Sequence, residues 1–167
     1  MTIGAVVLAA GASTRYGRPK QHELLPAVLE RLERSPVDEI VVVEGAHRLR
    51  LERGSRLSVV RCEDWARGPG ASLRAGLAAL SPGVTHAVVV LADGPNLDPR
   101  TVERVLQHRD DSDVLAASYD GTRDHPVVLA RAAWPAITDE GGRVLEPLLV
   151  DCSDLEPPGD VDLPSEG

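Results

Sequence analysis

Short, almost uninterrupted runs of Val, Leu and Ile alternate along this chain with segments whose apolar residues recur every three or four positions. The runs cover residues 3–10, 39–44, 57–61, 86–92 and 113–118. A strand with one face in water alternates apolar and polar residues. Continuous apolarity therefore predicts strands covered on both faces, as in a parallel sheet. After the first run, Leu24, Leu25, Val28, Leu29 and Leu32 mark one helix face, with Glu and Arg on the other. Residues 71–80 and 99–108 repeat that pattern. The latter opens with Asp98 as a cap before Pro99 at the first helical position. This order predicts a single α/β domain over residues 1–167, with a mostly parallel sheet and helices on both faces.

The remaining elements carry weaker signals. Residues 126–130 form a sixth strand candidate, and the leading Pro126 places it at a sheet edge or at the strand's first residue. Residues 132–137 and 143–150 have helical patterns. From about 151 the chain becomes rich in Pro and acid, predicting an irregular tail. The net charge is -8, which argues against a nucleic-acid partner. No apolar run approaches the roughly 20 residues of a membrane helix, and no signal-peptide pattern is evident. Cys62 and Cys152 have neither partners nor CxxC spacing and read as buried thiols of a cytoplasmic protein.

Chemistry concentrates in two places. The first strand runs into Gly11-Ala12-Ser13-Thr14-Arg15-Tyr16-Gly17-Arg18-Pro19-Lys20. A small-residue turn at a strand's carboxyl end presents backbone N–H groups to a phosphate, and Arg15 and Lys20 add cations. The glycine spacing fits neither a P-loop nor a dinucleotide fingerprint, and an ordinary loop with surface cations would look the same. Of the 18 basic residues only Lys20 is lysine, and the rest are arginine. The second place is Leu91-Ala92-Asp93-Gly94-Pro95, which ends the fourth run. Ligands of open α/β sheets bind at that edge. Asp93 there suits either Mg²⁺ or a self-capped turn. Ser72 in the Gly68-Pro69-Gly70 helix start and His125 before Pro126 are further candidates. Asp124, Asp160 and Asp162 read as solvated acids.

Taken together and in order, these segments resemble the MobA-like nucleotidyltransferases. Leu8 to Lys20 is similar to L-A-A/G-G-x-S-x-R-x-G-x-x-K, and Trp65 to Leu73 to W-x-x-G-x-x-x-S-L. Leu91 to Pro95 resembles L-A-D-x-P, and His125-Pro126-Val127 resembles H-P-V. Asp139 to Arg143 resembles G-D-x-G-x-R, and Asp160 to Pro164 the closing D-I-D-T-P. The resemblance implies a three-layer Rossmann-like domain that moves a nucleoside monophosphate from an NTP to a phosphate-bearing acceptor. Ala10 and the His125 segment lean toward the molybdenum cofactor cytidylyltransferase branch, so CTP is favoured over GTP and molybdopterin is the implied acceptor. Leu8, Ala9, Ala10, Gly11, Ala12, Ser13, Gly17, Lys20 and Ser72 would bind the nucleotide, with Arg15, Lys20 and Asp93 catalytic. Asp93 and Asp162 would hold Mg²⁺, and His125 and Arg143 would face the acceptor. A molybdoenzyme or its chaperone would be the implied partner.

The chain departs from this pattern in four places. The segment after Lys20 is short, Gly94 replaces a larger Gln or Met, Asp124 replaces Gly, and Leu163 replaces Thr. Gly94 is expected to open the pocket near the metal. A shortened nucleotide-binding module without turnover and a sugar-phosphate nucleotidyltransferase are the alternative readings. The glycine spacing disfavours a dinucleotide oxidoreductase.

Overall fold

The computed structural model describes residues 1–9, 20–46, 48–49, 51, 56–142 and 145–159. Strands β1 (Thr2–Ala9), β2 (Glu39–Glu44), β3 (Leu57–Arg61) and β4 (Val84–Leu91) are mutually parallel in the order β3-β2-β1-β4. Beyond β4 the sheet continues β6 (Thr122–Ala130), β5 (Val114–Tyr119) and β7 (Leu148–Asp151), making seven strands among the described residues. Only β6 runs against the rest. Helices α1 (Lys20–Glu33) and α3 (Pro99–Gln107) pack on one face and α2 (Pro69–Ala79) on the other. The result is the three-layer, mostly parallel domain that the sequence predicts.

Alternating strand residues feed the two cores. Ala5, Val7 and Ala9 of β1 face Leu25, Val28 and Leu32 of α1, while Val6 belongs with Leu73 and Leu77 of α2. Burying a strand on both faces consumes every position, which is why these runs are continuously apolar. The cap of α3 forms as the sequence implies. The Asp98 carboxylate accepts from the Arg100 N–H at 2.9 Å, with Pro99 following the cap.

Three elements differ from expectation. Pro126 sits within β6 rather than at its start, and β6 lies inside the sheet between β4 and β5. The β5 ladder steps from Ala116↔Val127 to Ala117↔Asp124, and the β4 ladder reaches no further than Val89↔Val127. His125 and Pro126, joined by a cis peptide bond, thus fall where neither neighbour requires an N–H. Residues 148–150, expected as the end of a helix over 143–150, instead join Asp151 in β7 on the β5 edge, because a short apolar run has no period that separates the two forms. Residues 131–136 make a 3₁₀ turn that contains Pro135 rather than an α-helix.

The acidic tail is also ordered as far as it is described. Cys152, Leu155 and Pro158 are buried, and Arg104 donates to Asp154 at 3.0 Å and to the Asp151 carbonyl at 3.2 Å. The Asn96 N–H donates to the Pro158 carbonyl at 3.0 Å.

Candidate functional site

Parallel ladders align strand ends, and here they align two candidate segments. Leu8 of β1 pairs with Leu91 of β4, and the Ala92 N–H donates to the Leu8 carbonyl at 3.1 Å. The point where β1 passes into the Gly11–Lys20 segment therefore lies beside the turn that carries Asp93. The antiparallel strand β6 enters the sheet at this same edge, so its first residues stand on the far side of β4 from the end of β1.

A cavity of about 730 Å³ opens below that edge on the α2 side of the sheet. Leu8, Leu73, Val89, Leu91, Val127 and Leu129 form its apolar floor and walls. Its polar lining comes from Arg123, Asp124, His125 and Glu140, with Gly141, Gly142, Pro157 and Gly159 at the rim. An apolar hole with a few convergent polar groups is the usual form of a small-molecule site.

The loop at the rim is held against the start of α2. The Gly70 N–H donates to the Asp139 carbonyl at 3.0 Å, and the Asp139 carboxylate takes Arg67 at 3.1 Å and also Arg74. The hydrogen bond from Arg74, then the pairing with Arg67, holds the Asp139 carboxyl below the usual carboxylate range. A Cβ on Gly70 would lie 1.5 Å from the Thr138 carbonyl oxygen, so the approach requires glycine.

Of the residues singled out from sequence, Leu8 and His125 line the cavity and Ala9 is buried behind it. Asp93 is half-buried at the carboxyl end of β4 but is not part of the cavity lining. Ser72 lies in the first turn of α2, 4% exposed, with Gly68 rather than Ser72 at the cap. Lys20 is the first residue of α1. Ala10, Gly11, Ala12, Ser13, Arg15, Gly17, Arg143 and Asp162 lie outside the described residues, as does Leu163.

Two expectations are corrected. Asp124 is not a turn acid: it lies in β6, lines the cavity with its side chain 41% exposed, and accepts the His125 backbone N–H at 2.7 Å. Its carboxyl is held below the ordinary range, chiefly by the His125 imidazole, 3.6 Å from it. Gly94 does not open the pocket. It is buried, and a Cβ there would stand 3.1 Å from Pro158 Cβ and 3.4 Å from the Gly159 carbonyl, so the tail fills the space a larger residue would take.

Sequence reasoning also missed Arg123. It lies two residues before His125, on the same side of β6 as Val127 and Leu129, and that period of two would have exposed it had the strand been started before Pro126.

Among the described residues no cluster of three or more His, Cys, Asp or Glu could hold a metal alone. Asp93 fits the more modest demand of Mg²⁺, which takes hard oxygen donors and keeps several waters. No helix among the described residues is long and apolar enough to cross a membrane.

A family model described as the MobA-like NTP transferase domain matches residues 5–146. Rv0371c from Mycobacterium tuberculosis H37Rv is 29% identical, with a TM-score of 0.75; the alignment covers 97% of this chain and 93% of that one. Rv0371c solved as a complex with manganese aligns at 25% identity and a TM-score of 0.68, covering 90% and 89%. A 2-C-methyl-D-erythritol 4-phosphate cytidylyltransferase from Francisella tularensis has a TM-score of 0.69 at 12% identity, covering 99% and 95%, a likeness of fold alone. No curated protein matches the chain by sequence.

Proposed function

The chain belongs to the MobA-like NTP transferase family and is a nucleotidyltransferase, and from that premise we propose that it transfers a nucleoside monophosphate to a phosphate-bearing acceptor. CTP is the favoured donor over GTP, and molybdopterin is the first acceptor to test, its product passing to a molybdoenzyme or its chaperone. Buried free thiols at Cys62 and Cys152 suit a reducing cytoplasm. The observation that carries the reading is the Leu8↔Leu91 pairing. It sets the end of β1, from which the chain runs on toward Gly11, beside the turn that carries Asp93, at the edge of the sheet where a cavity of small-molecule size opens.

In the reaction an oxygen of the acceptor phosphate attacks the α-phosphorus of the NTP. The bond from that phosphorus to the oxygen bridging to the β-phosphate breaks, and the electron pair leaves with pyrophosphate. The acceptor phosphate is already a nucleophile, so no side chain has to remove a proton from it. Catalysis is then positioning plus charge neutralisation. Arg15 and Lys20 draw negative charge from the α-phosphate and the leaving pyrophosphate, and the loop N–H groups hold the remaining oxygens. Asp93 and Asp162 would hold Mg²⁺, which when bound supplies further neutralisation of the phosphate oxygens. His125 and Arg143 orient the acceptor.

Pyrophosphate release, measured with Mg²⁺ for four NTPs against molybdopterin and several sugar phosphates, tests this reading. Turnover with CTP and molybdopterin is expected, and Lys20→Ala or Asp93→Ala should lower it by about a hundredfold or more. Wild-type rates from both variants would sink the assigned roles. Calorimetric NTP binding without pyrophosphate release from any acceptor would leave a binding module without turnover.

A further inference from the structure

Arg123 is the one Arg or Lys among the described residues that line the cavity. Its guanidinium donates to the Leu145 carbonyl at 3.2 Å and to the Gly142 carbonyl at 3.0 Å. Two neutral acceptors fix the orientation of the fork while leaving its charge in place. A guanidinium carries five N–H groups, so about three remain for a ligand. No carboxylate among the described residues forms an ion pair with it. The adjacent acid, Asp124, is engaged with the backbone N–H and imidazole of His125.

An oriented, unneutralised guanidinium beside an apolar hole is a seat for an oxyanion, and its planar fork matches a phosphate through paired hydrogen bonds. The strand order decides which phosphate. Arg123 lies on β6, and β4 separates β6 from β1, whose end leads to the Gly11–Lys20 segment. Two inter-strand steps amount to roughly 10 Å. That separation takes Arg123 away from the nucleotide's own phosphates and toward the second substrate. We propose that Arg123 binds the phosphate of the acceptor and presents it for attack. The assignment rests on the nucleotidyltransferase reading above and adds to it the residue that selects a phosphorylated acceptor.

The test uses the full chain, with inorganic phosphate as the probe, titrated calorimetrically with and without CTP and Mg²⁺. Arg123→Gln is expected to weaken phosphate binding by about tenfold or more, while CTP affinity stays within about twofold. Arg123→Lys keeps the charge but not the fork and should fall between the two. In turnover, the same variants should raise KM for the acceptor and leave KM for the NTP near wild type. Should the Gln variant fail to fold in a thermal scan, the Lys variant carries the comparison. The assignment is overturned if wild type binds no inorganic phosphate, if the variants bind it like wild type, or if CTP affinity falls in parallel. Loss of phosphate binding in a protein that never releases pyrophosphate would instead retain the anion seat and remove the transfer reaction.

Discussion

Gly70→Ala sets two physical effects against each other. In a helix, replacing Gly by Ala ordinarily stabilises by about 0.5–1 kcal/mol, because glycine loses more backbone freedom on folding. At Gly70 the new Cβ would meet the Thr138 carbonyl oxygen at 1.5 Å, the Thr138 carbonyl carbon at 2.5 Å and the Asp139 carbonyl carbon at 2.8 Å. All three are backbone atoms, so no rotamer change relieves the clash. Since Cβ atoms essentially never come closer than 3.0 Å to such neighbours, the loop must retreat by at least 1.5 Å. That movement breaks the 3.0 Å hydrogen bond from Gly70 N–H to the Asp139 carbonyl. Stranding a buried donor costs about 1–3 kcal/mol, and displacing packed backbone costs a similar amount. The clash outweighs the propensity gain, for a net loss of about 2–4 kcal/mol. With a urea m-value of about 1–3 kcal/mol/M, the unfolding midpoint should fall by roughly 1–2 M. Gly83→Ala is the control, since its Cβ meets nothing within 4 Å and its midpoint should barely move. The loop also forms the cavity rim, so pyrophosphate release should fall in Gly70→Ala alone. A midpoint for Gly70→Ala equal to or above wild type would refute the close approach of α2 to this loop.

Two further perturbations report on opposite ends of the site. Burial pushes the Tyr119 hydroxyl up to about 12, and its O–H donates to the His125 carbonyl at 3.3 Å. A folded pKa above the ordinary 10.0 means that this stabilisation is fully present below pH 10 and is lost as pH rises toward 12. Denaturant titrations across that range should show the decline, and Tyr119→Phe should flatten it; an identical decline in the variant would place its origin elsewhere. Gly94→Met should displace Pro158 and Gly159, lowering stability by about 1–3 kcal/mol and raising protease cleavage within 152–159. Unchanged stability and cleavage would mean that the tail does not seat on Gly94.

The parts of the fold legible in the sequence are those in which one local cause acts alone. The β1 and β4 runs are apolar because both faces are covered, and Asp98-Pro99 starts α3 through a hydrogen bond two residues away. The parts missed depend on partners distant in the chain. Pro126 looks like a strand end, yet it lies within β6 because the β5 ladder skips it and the β4 ladder has already finished. Residues 148–151 become a strand only because the β5 edge offers unpaired backbone. Arg123 escaped notice for the same reason: once Pro126 is taken as a strand start, the residue three before it falls in a loop, and the period of two that carries it to the cavity is lost.

Gly94 shows the same limit at the site itself. Compared position by position, glycine in place of Gln or Met reads as a subtraction, and an enlarged pocket follows. In the folded chain the missing side chain is replaced from elsewhere, because Pro158 and Gly159 lie against it and Asn96 holds the Pro158 carbonyl. The exchange has a consequence that a void would not. A Met side chain at this position would push the tail away, whereas glycine draws it down to the edge where Asp93 stands, and Arg104 secures its earlier part through Asp154. The composition that marks the chain from about 151 as irregular therefore describes, over residues 152–159, a segment with little regular structure but fixed contacts.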